Sequence, residues 1–154
     1  MIEEFATSLI DGDKLKNFLD FNTFLKTNKV SKGSTGANGW SVRYKKKIIC
    51  HFRIHNGYWL IYFFKDKELL EKSEKYVTDE LKDFILNNIN TTLGCRNCKG
   101  VENIIIYGQI FPKVCGCQLL LLNNPEEKIL EYAKELVLIN KTIANEIAAV
   151  RNEV

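Results

Sequence analysis

The sequence predicts an α+β fold, with an antiparallel sheet covered on one face by helices as a two-layer sandwich. Three observations carry this. Apolar residues recur at helical spacing at both ends of the chain, and strand-like alternation fills the middle. Between two aromatic-rich runs stands Asn56-Gly57, the strongest short hairpin signal.

From Met1 to Thr27 the pattern is helical, in two pieces broken at Asp11-Gly12-Asp13. Ile2, Phe5 and Leu9 share one face, and Leu15, Phe18, Leu19 and Leu25 share another. The stretch "NKVSKGSTGANG", Asn28–Gly39, is glycine-rich without hydrophobic period, so a flexible loop is expected. "WSVRY" and "IICHFRIH" alternate, and "YWLIYFF" is solidly apolar and aromatic, which gives three strands. "TDELKDFILNNIN" reads as a helix with Thr78 at its N-cap and Leu81, Phe84, Ile85 and Ile89 as its buried stripe.

"NIIIYGQIF" and "CQLLLL" read as further strands. A long C-terminal helix follows, with Asn124 as cap, Pro125 in the first turn and Glu127 closing a capping box. Ile129, Ala133, Leu136, Ile143 and Ile147 form its buried face. The expectation is a single domain over 1–154, with a flexible loop at 28–39 and a cysteine-bearing loop and strands at 93–117.

A chain of 154 residues is long enough to bury a substantial core. Its net charge of +3 is too slight to argue for nucleic acid. No run approaches the roughly 18 apolar residues that span a bilayer. "MIEEFATSLIDGDK" has neither the basic start nor the apolar core of a secretory signal, so a cytoplasmic location without a membrane partner is expected. No P-loop, dinucleotide fingerprint, His-Glu-x-x-His or serine elbow is present, and nothing in the sequence requires an enzyme.

A two-residue turn at Asn56-Gly57 pairs His55 with Tyr58 and sets the two faces of the hairpin. One face carries Cys50, Phe52, Ile54, Trp59, Ile61 and Phe63, a helix-facing core. The other carries His51, Arg53, His55, Tyr58, Leu60, Tyr62 and Phe64, which gathers both histidines of the chain with an arginine and two tyrosines. Aromatic walls with a few convergent polar groups suit a small-molecule or partner face; the alternative is the solvated side of a one-sided sheet. Trp40, His51, Arg53, Tyr58 and Tyr62 are the candidate ligand-binding residues. The side taken by Trp40 and Tyr44 depends on whether the turn in "YKKKII" has two or three residues. Arg43, Lys45, Lys46, Lys47, Arg53 and Lys65 form a basic cluster that could contact single-stranded nucleic acid, or simply keep an edge soluble.

Four of the five cysteines fall between Leu93 and Cys117, as Cys95-x2-Cys98 and Cys115-x-Cys117. Two short glycine-flanked turns offering four thiolates suit a closed tetrahedral zinc site, and zinc is the expected cofactor, in a structural role. Reduced packed thiols and a redox pair at Cys95 and Cys98, with Arg96 to lower a thiol pKa, are the alternatives. The function expected from the residues is a non-enzymatic binding or regulatory module. A thiol- or metal-dependent enzyme using Cys95 and Cys98 is the runner-up, and a nucleic-acid binder the third reading.

From Gly39 to the last helix the chain resembles small uncharacterised bacterial proteins of Firmicute type, of a broadly YdhG-like class. The residues that carry the resemblance are "GWSVRYKKK" entering the sheet, the aromatic second hairpin strand and the Cys-x2-Cys loop. To these add "YGQIF" followed by "VC", and "NP" opening the last helix. The resemblance implies a two-layer α/β fold with no established activity. More distantly the class is similar to frataxin-like proteins, which handle iron through an acidic helical surface. Glu3, Glu4, Asp11, Asp13 and Asp20 stand near the N-terminus here without making a dense acidic ridge.

The zinc expectation has a direct test in native mass spectrometry of freshly purified protein. One zinc per chain is expected, with sulfur–metal distances of about 2.3 Å, and both a strong chelator and Cys98→Ser should lower the melting temperature. Metal content near zero, with all four thiols reacting freely in the native protein, would leave packing or a redox pair.

Overall fold

A computed structural model describes residues 1–91 and 103–153. Two helices open the chain, α1 (Ile2–Leu9) and α2 (Gly12–Thr27), and the break between them falls where the sequence places it. Ile10 is extended there, and Gly12 takes φ +57°, a value that favours glycine. Four strands follow, β1 (Ser31–Ser34), β2 (Gly39–Tyr44), β3 (Lys47–His55) and β4 (Tyr58–Phe63). Next come α3 (Lys67–Ser73), α4 (Asp79–Asn87), a small hairpin of β5 (Ile104–Ile106) and β6 (Gln109–Phe111), then β7 (Leu120–Asn123) and α5 (Glu127–Glu153). The main sheet has the order β1-β2-β3-β4-β7, antiparallel throughout.

The helices cover one face of this sheet. Phe18, Phe21 and Leu25 of α2 and Leu130, Ala133, Leu136 and Val137 of α5 are buried against Phe52, Ile54, Trp59, Ile61 and Phe63. Cys50 joins them at 1 % exposed, and burial pushes its thiol far above the ordinary range, so it packs as a small apolar side chain. Thr78 caps α4 as expected, its hydroxyl accepting the Leu81 N–H at 3.2 Å. Among the described residues no helix is long and apolar enough to cross a membrane.

Several local expectations are corrected. The glycine-rich stretch Asn28–Gly39 is not loop throughout, because Ser31–Ser34 pair with β2 as an edge strand. Its Lys32 Nζ donates to Asn22 Oδ1 at 2.7 Å, which ties this edge to α2. α3 was not anticipated; its signal is Asp66, whose carboxylate accepts the Glu68 N–H at 3.0 Å. Asn124 does not cap α5. It extends the β7 pairing instead, its amide oxygen accepting the Trp59 N–H and its own N–H donating to the Trp59 carbonyl. The helix therefore starts at Glu127, and Ile129 is exposed rather than core.

The β3–β4 hairpin has the expected register, His55 opposite Tyr58 and Ile54 opposite Trp59. Asn-Gly in a two-residue hairpin loop is expected to take positive φ at both residues, and the turn differs from that. Gly57 has φ +88° but Asn56 does not take a positive φ, a sign pattern that excludes type I′ and matches type II. The turn is held from the helical layer, since Gly57 N–H donates to the Leu9 carbonyl and Lys14 Nζ donates to the Gly57 carbonyl, both at 2.8 Å. No atom would obstruct a Cβ at Gly57, so conformational strain alone opposes a side chain there. Gly57→Val is expected to destabilise the fold by at least about 1 kcal/mol in chemical denaturation. An unchanged midpoint would contradict this turn geometry.

Candidate functional site

The face of the sheet turned away from the helices follows from strand alternation. β3 places His51, Arg53 and His55 there, and β4 places Tyr58, Leu60 and Tyr62. Pairing carries them into rows. Ser41, His51, Tyr62 and Leu121 are successive partners across β2, β3, β4 and β7, and Gly39, Arg53, Leu60 and Asn123 make the next row. The rings stack in cross-strand pairs: His51 on Tyr62 with centroids 4.7 Å apart, and His55 on Tyr58 at 4.6 Å.

The outer side of a one-sided sheet is ordinarily solvated. Here Ser41, His51 and Tyr62 are only 1, 5 and 6 % exposed, while Tyr58 at the turn is 37 % exposed. Some polar groups are paired. Arg43 Nε donates to Ser41 Oγ at 3.1 Å, and the Asn38 amide bonds His55 Nδ1 at 3.0 Å. Others are not: both ring nitrogens of His51 and Nε of Arg53 are buried without a hydrogen-bond partner among the described residues. A buried polar atom left in that state costs about 1–3 kcal/mol. Trp59 Nε1 and Asn140 Oδ1 on the helix side are in the same state, but three of the five such atoms among the described residues belong to His51 and Arg53 on this face.

The electrostatics point the same way. Burial first, then the positive charges of Lys65, Arg53 and Arg43, push the His51 imidazole from its ordinary 6.5 down to about 4. At neutral pH the ring is uncharged, with one nitrogen able to donate and the other to accept. None of the five strands of the main sheet contains aspartate or glutamate.

Of the predicted ligand residues, His51, Arg53, Tyr58 and Tyr62 share this face, but Trp40 does not. The β2–β3 turn is the two-residue Lys45-Lys46, with φ +45° and +68°. A regular hairpin on that turn would set Trp40 opposite His51. A bulge inserts Ile49 into β3, and Trp40 pairs with Phe52 instead. Its ring stacks on Phe52 at 5.2 Å and meets Phe5 edge-on at 5.6 Å, on the helix side. Tyr44 lies on that side too, its hydroxyl donating to Asn145 of α5. Phe64 also leaves the face: it lies past the end of β4 with φ +68° and is buried in the core. The sequence reading passed over Ser41, whose place opposite His51 depends on the same bulge.

The basic cluster does not act as one stripe. Lys47 turns to the helical layer, where it pairs with Asp66 at 3.1 Å and Glu68 at 2.6 Å. Lys45 and Lys46 form the turn, and Arg43, Arg53 and Lys65 are the cations that act on His51.

Cys95 and Cys98 lie outside the described residues. Cys115 is buried and Cys117 half-buried, on a segment that Lys67 anchors by donating to the Gly116 carbonyl at 2.6 Å. The expected zinc site needs all four cysteines, two of them outside the described residues; among the described residues no group of three or more His, Cys, Asp or Glu is placed to hold a metal. No protein-family model, no curated protein and no solved structure matches this chain.

The lowered His51 pKa has a consequence for stability. A group whose folded pKa lies below its unfolded value stabilises the fold fully only above the unfolded value, so stability is lost as pH falls from 6.5 towards about 4. In denaturation midpoints over that interval, His51→Phe should lose less stability than the parent protein. Equal losses in the two proteins would place the acid sensitivity elsewhere.

Proposed function

We propose that the chain is a non-enzymatic binding module whose ligand is a small molecule seated on the helix-free face of the sheet. The observation that carries this reading is His51, nearly solvent-free on an outward face, with neither ring nitrogen partnered among the described residues. A ligand polar group meeting that ring would offset the desolvation that the fold leaves uncompensated. The stacked pairs His51–Tyr62 and His55–Tyr58, with half-buried Leu60 in the row between them, offer flat apolar walls beside it. The chemistry available suits binding more than turnover, since the nearest thiol in sequence, Cys50, faces the helices.

A screen of small aromatic compounds by NMR tests this. Saturable binders are expected, with amide perturbations centred on Ser41, His51, Leu60 and Tyr62, and Leu60→Arg should abolish them without unfolding the protein. Binders that map only to the helical layer, or a screen without any binder, would return the face to an ordinary sheet surface.

A further inference from the structure

Three cations stand near the unpartnered ring of His51. Arg43 and Arg53 reach it by strand alternation, and Lys65 stands two residues beyond the end of β4. All three are near enough to act electrostatically on His51. No carboxylate among the described residues forms an ion pair with any of them. Some lysines elsewhere do have carboxylate partners: Lys26 has Glu3, Lys47 has Asp66 and Glu68, and Lys134 has Asp20 and Glu131. Like charges gathered without a counter-charge repel, so the arrangement is unfavourable unless an anion joins it.

The arginines are differently prepared. Arg43 donates its Nε–H to Ser41 Oγ, which restrains the side chain beside His51's strand partner. Arg53 keeps a buried Nε without a partner among the described residues, and the Nε–Nη edge of a guanidinium carries two parallel N–H groups that match two oxygens of one oxyanion. The Arg53 side chain packs on its strand partner Gly39, where a Cβ would lie in ordinary contact with Arg53 Nε at 3.6 Å but would crowd Thr35 Oγ1 at 2.8 Å. The neutral His51 ring adds one more donor.

We infer that the ligand is a small organic oxyanion, a phosphate monoester or carboxylate with a flat apolar body. Its charged end is held by Arg53, Arg43 and Lys65 beside His51, and its body lies against the Tyr62 and Tyr58 stacks. This rests on the reading of the face as a binding site.

Isothermal titration of the full chain with phenyl phosphate, benzoate, inorganic phosphate and uncharged benzyl alcohol tests it. At least one of the aromatic anions should bind about tenfold or more tighter than benzyl alcohol, and the better of the two identifies the headgroup. Arg53→Gln should weaken that binding by about tenfold or more, Arg53→Lys by less, and Lys45→Gln, whose parent side chain lies over the Tyr44 ring on the helix side, should leave it unchanged. Melting temperatures taken alongside identify any variant that fails to fold, in which case Arg43→Gln serves in its place. If benzyl alcohol binds as well as the anions and Arg53→Gln changes nothing, the oxyanion assignment is overturned while the binding face stands. If no probe binds, the assignment falls as well.

Discussion

The register of the β3–β4 hairpin is the constraint on which the rest depends. Because side chains alternate along a strand, a slip of one residue would exchange the two faces completely. Phe52, Ile54, Trp59 and Ile61 would turn to solvent, each losing about 1.5–3 kcal/mol of apolar burial. His51, Arg53 and Tyr62 would meanwhile be driven into the helical layer. The two-residue turn at Asn56-Gly57 allows one pairing, and the hydrogen bonds from Gly57 to Leu9 and from Lys14 to Gly57 tie that turn to the helices.

A second constraint reconciles this hairpin with the one before it. Both turns have two residues, and in regular strands they would set β2 out of phase with the core. The bulge at Ile49 absorbs the mismatch. Asn140, wholly buried on α5, donates to the Ile49 carbonyl at 3.1 Å and so holds the bulged backbone. With the phase corrected, Trp40 and Val42 join the core, while Ser41 and Arg43 come to the side of His51. A polar contact in the helical layer thus decides what stands on the opposite face of the sheet.

These two constraints also divide what was legible in the sequence from what was not. The hairpin faces were readable because Asn56-Gly57 and the alternating residues around it are local signals. So were the break at Gly12, the Thr78 cap and the helix-covered architecture. The side taken by Trp40 was not readable, because the Ile49 bulge is supported by Asn140, 91 residues away. Asn124 misled for a similar reason: an excellent helix cap by type, it is held by Trp59 across the sheet. β1 escaped notice because an edge strand of serine, lysine and glycine needs no apolar period. Arg43 and Lys65 were visible as charges, but only the folded register separates them from Lys47, which is neutralised by Asp66 and Glu68.

The central claim is that an oxyanion belongs among Arg43, Arg53, Lys65 and His51. The most direct measurement is a crystal structure of the full chain grown with phenylarsonate, located by the anomalous scattering of its arsenic. The expected result is an arsenic peak on the helix-free face, with guanidinium nitrogens of Arg53 and Arg43 about 3 Å from arsonate oxygens and the phenyl ring against the Tyr62 or Tyr58 stack. Arsenic found only at Lys45 and Lys46 or along the helical layer, with the His51 face empty at saturating ligand, would contradict it.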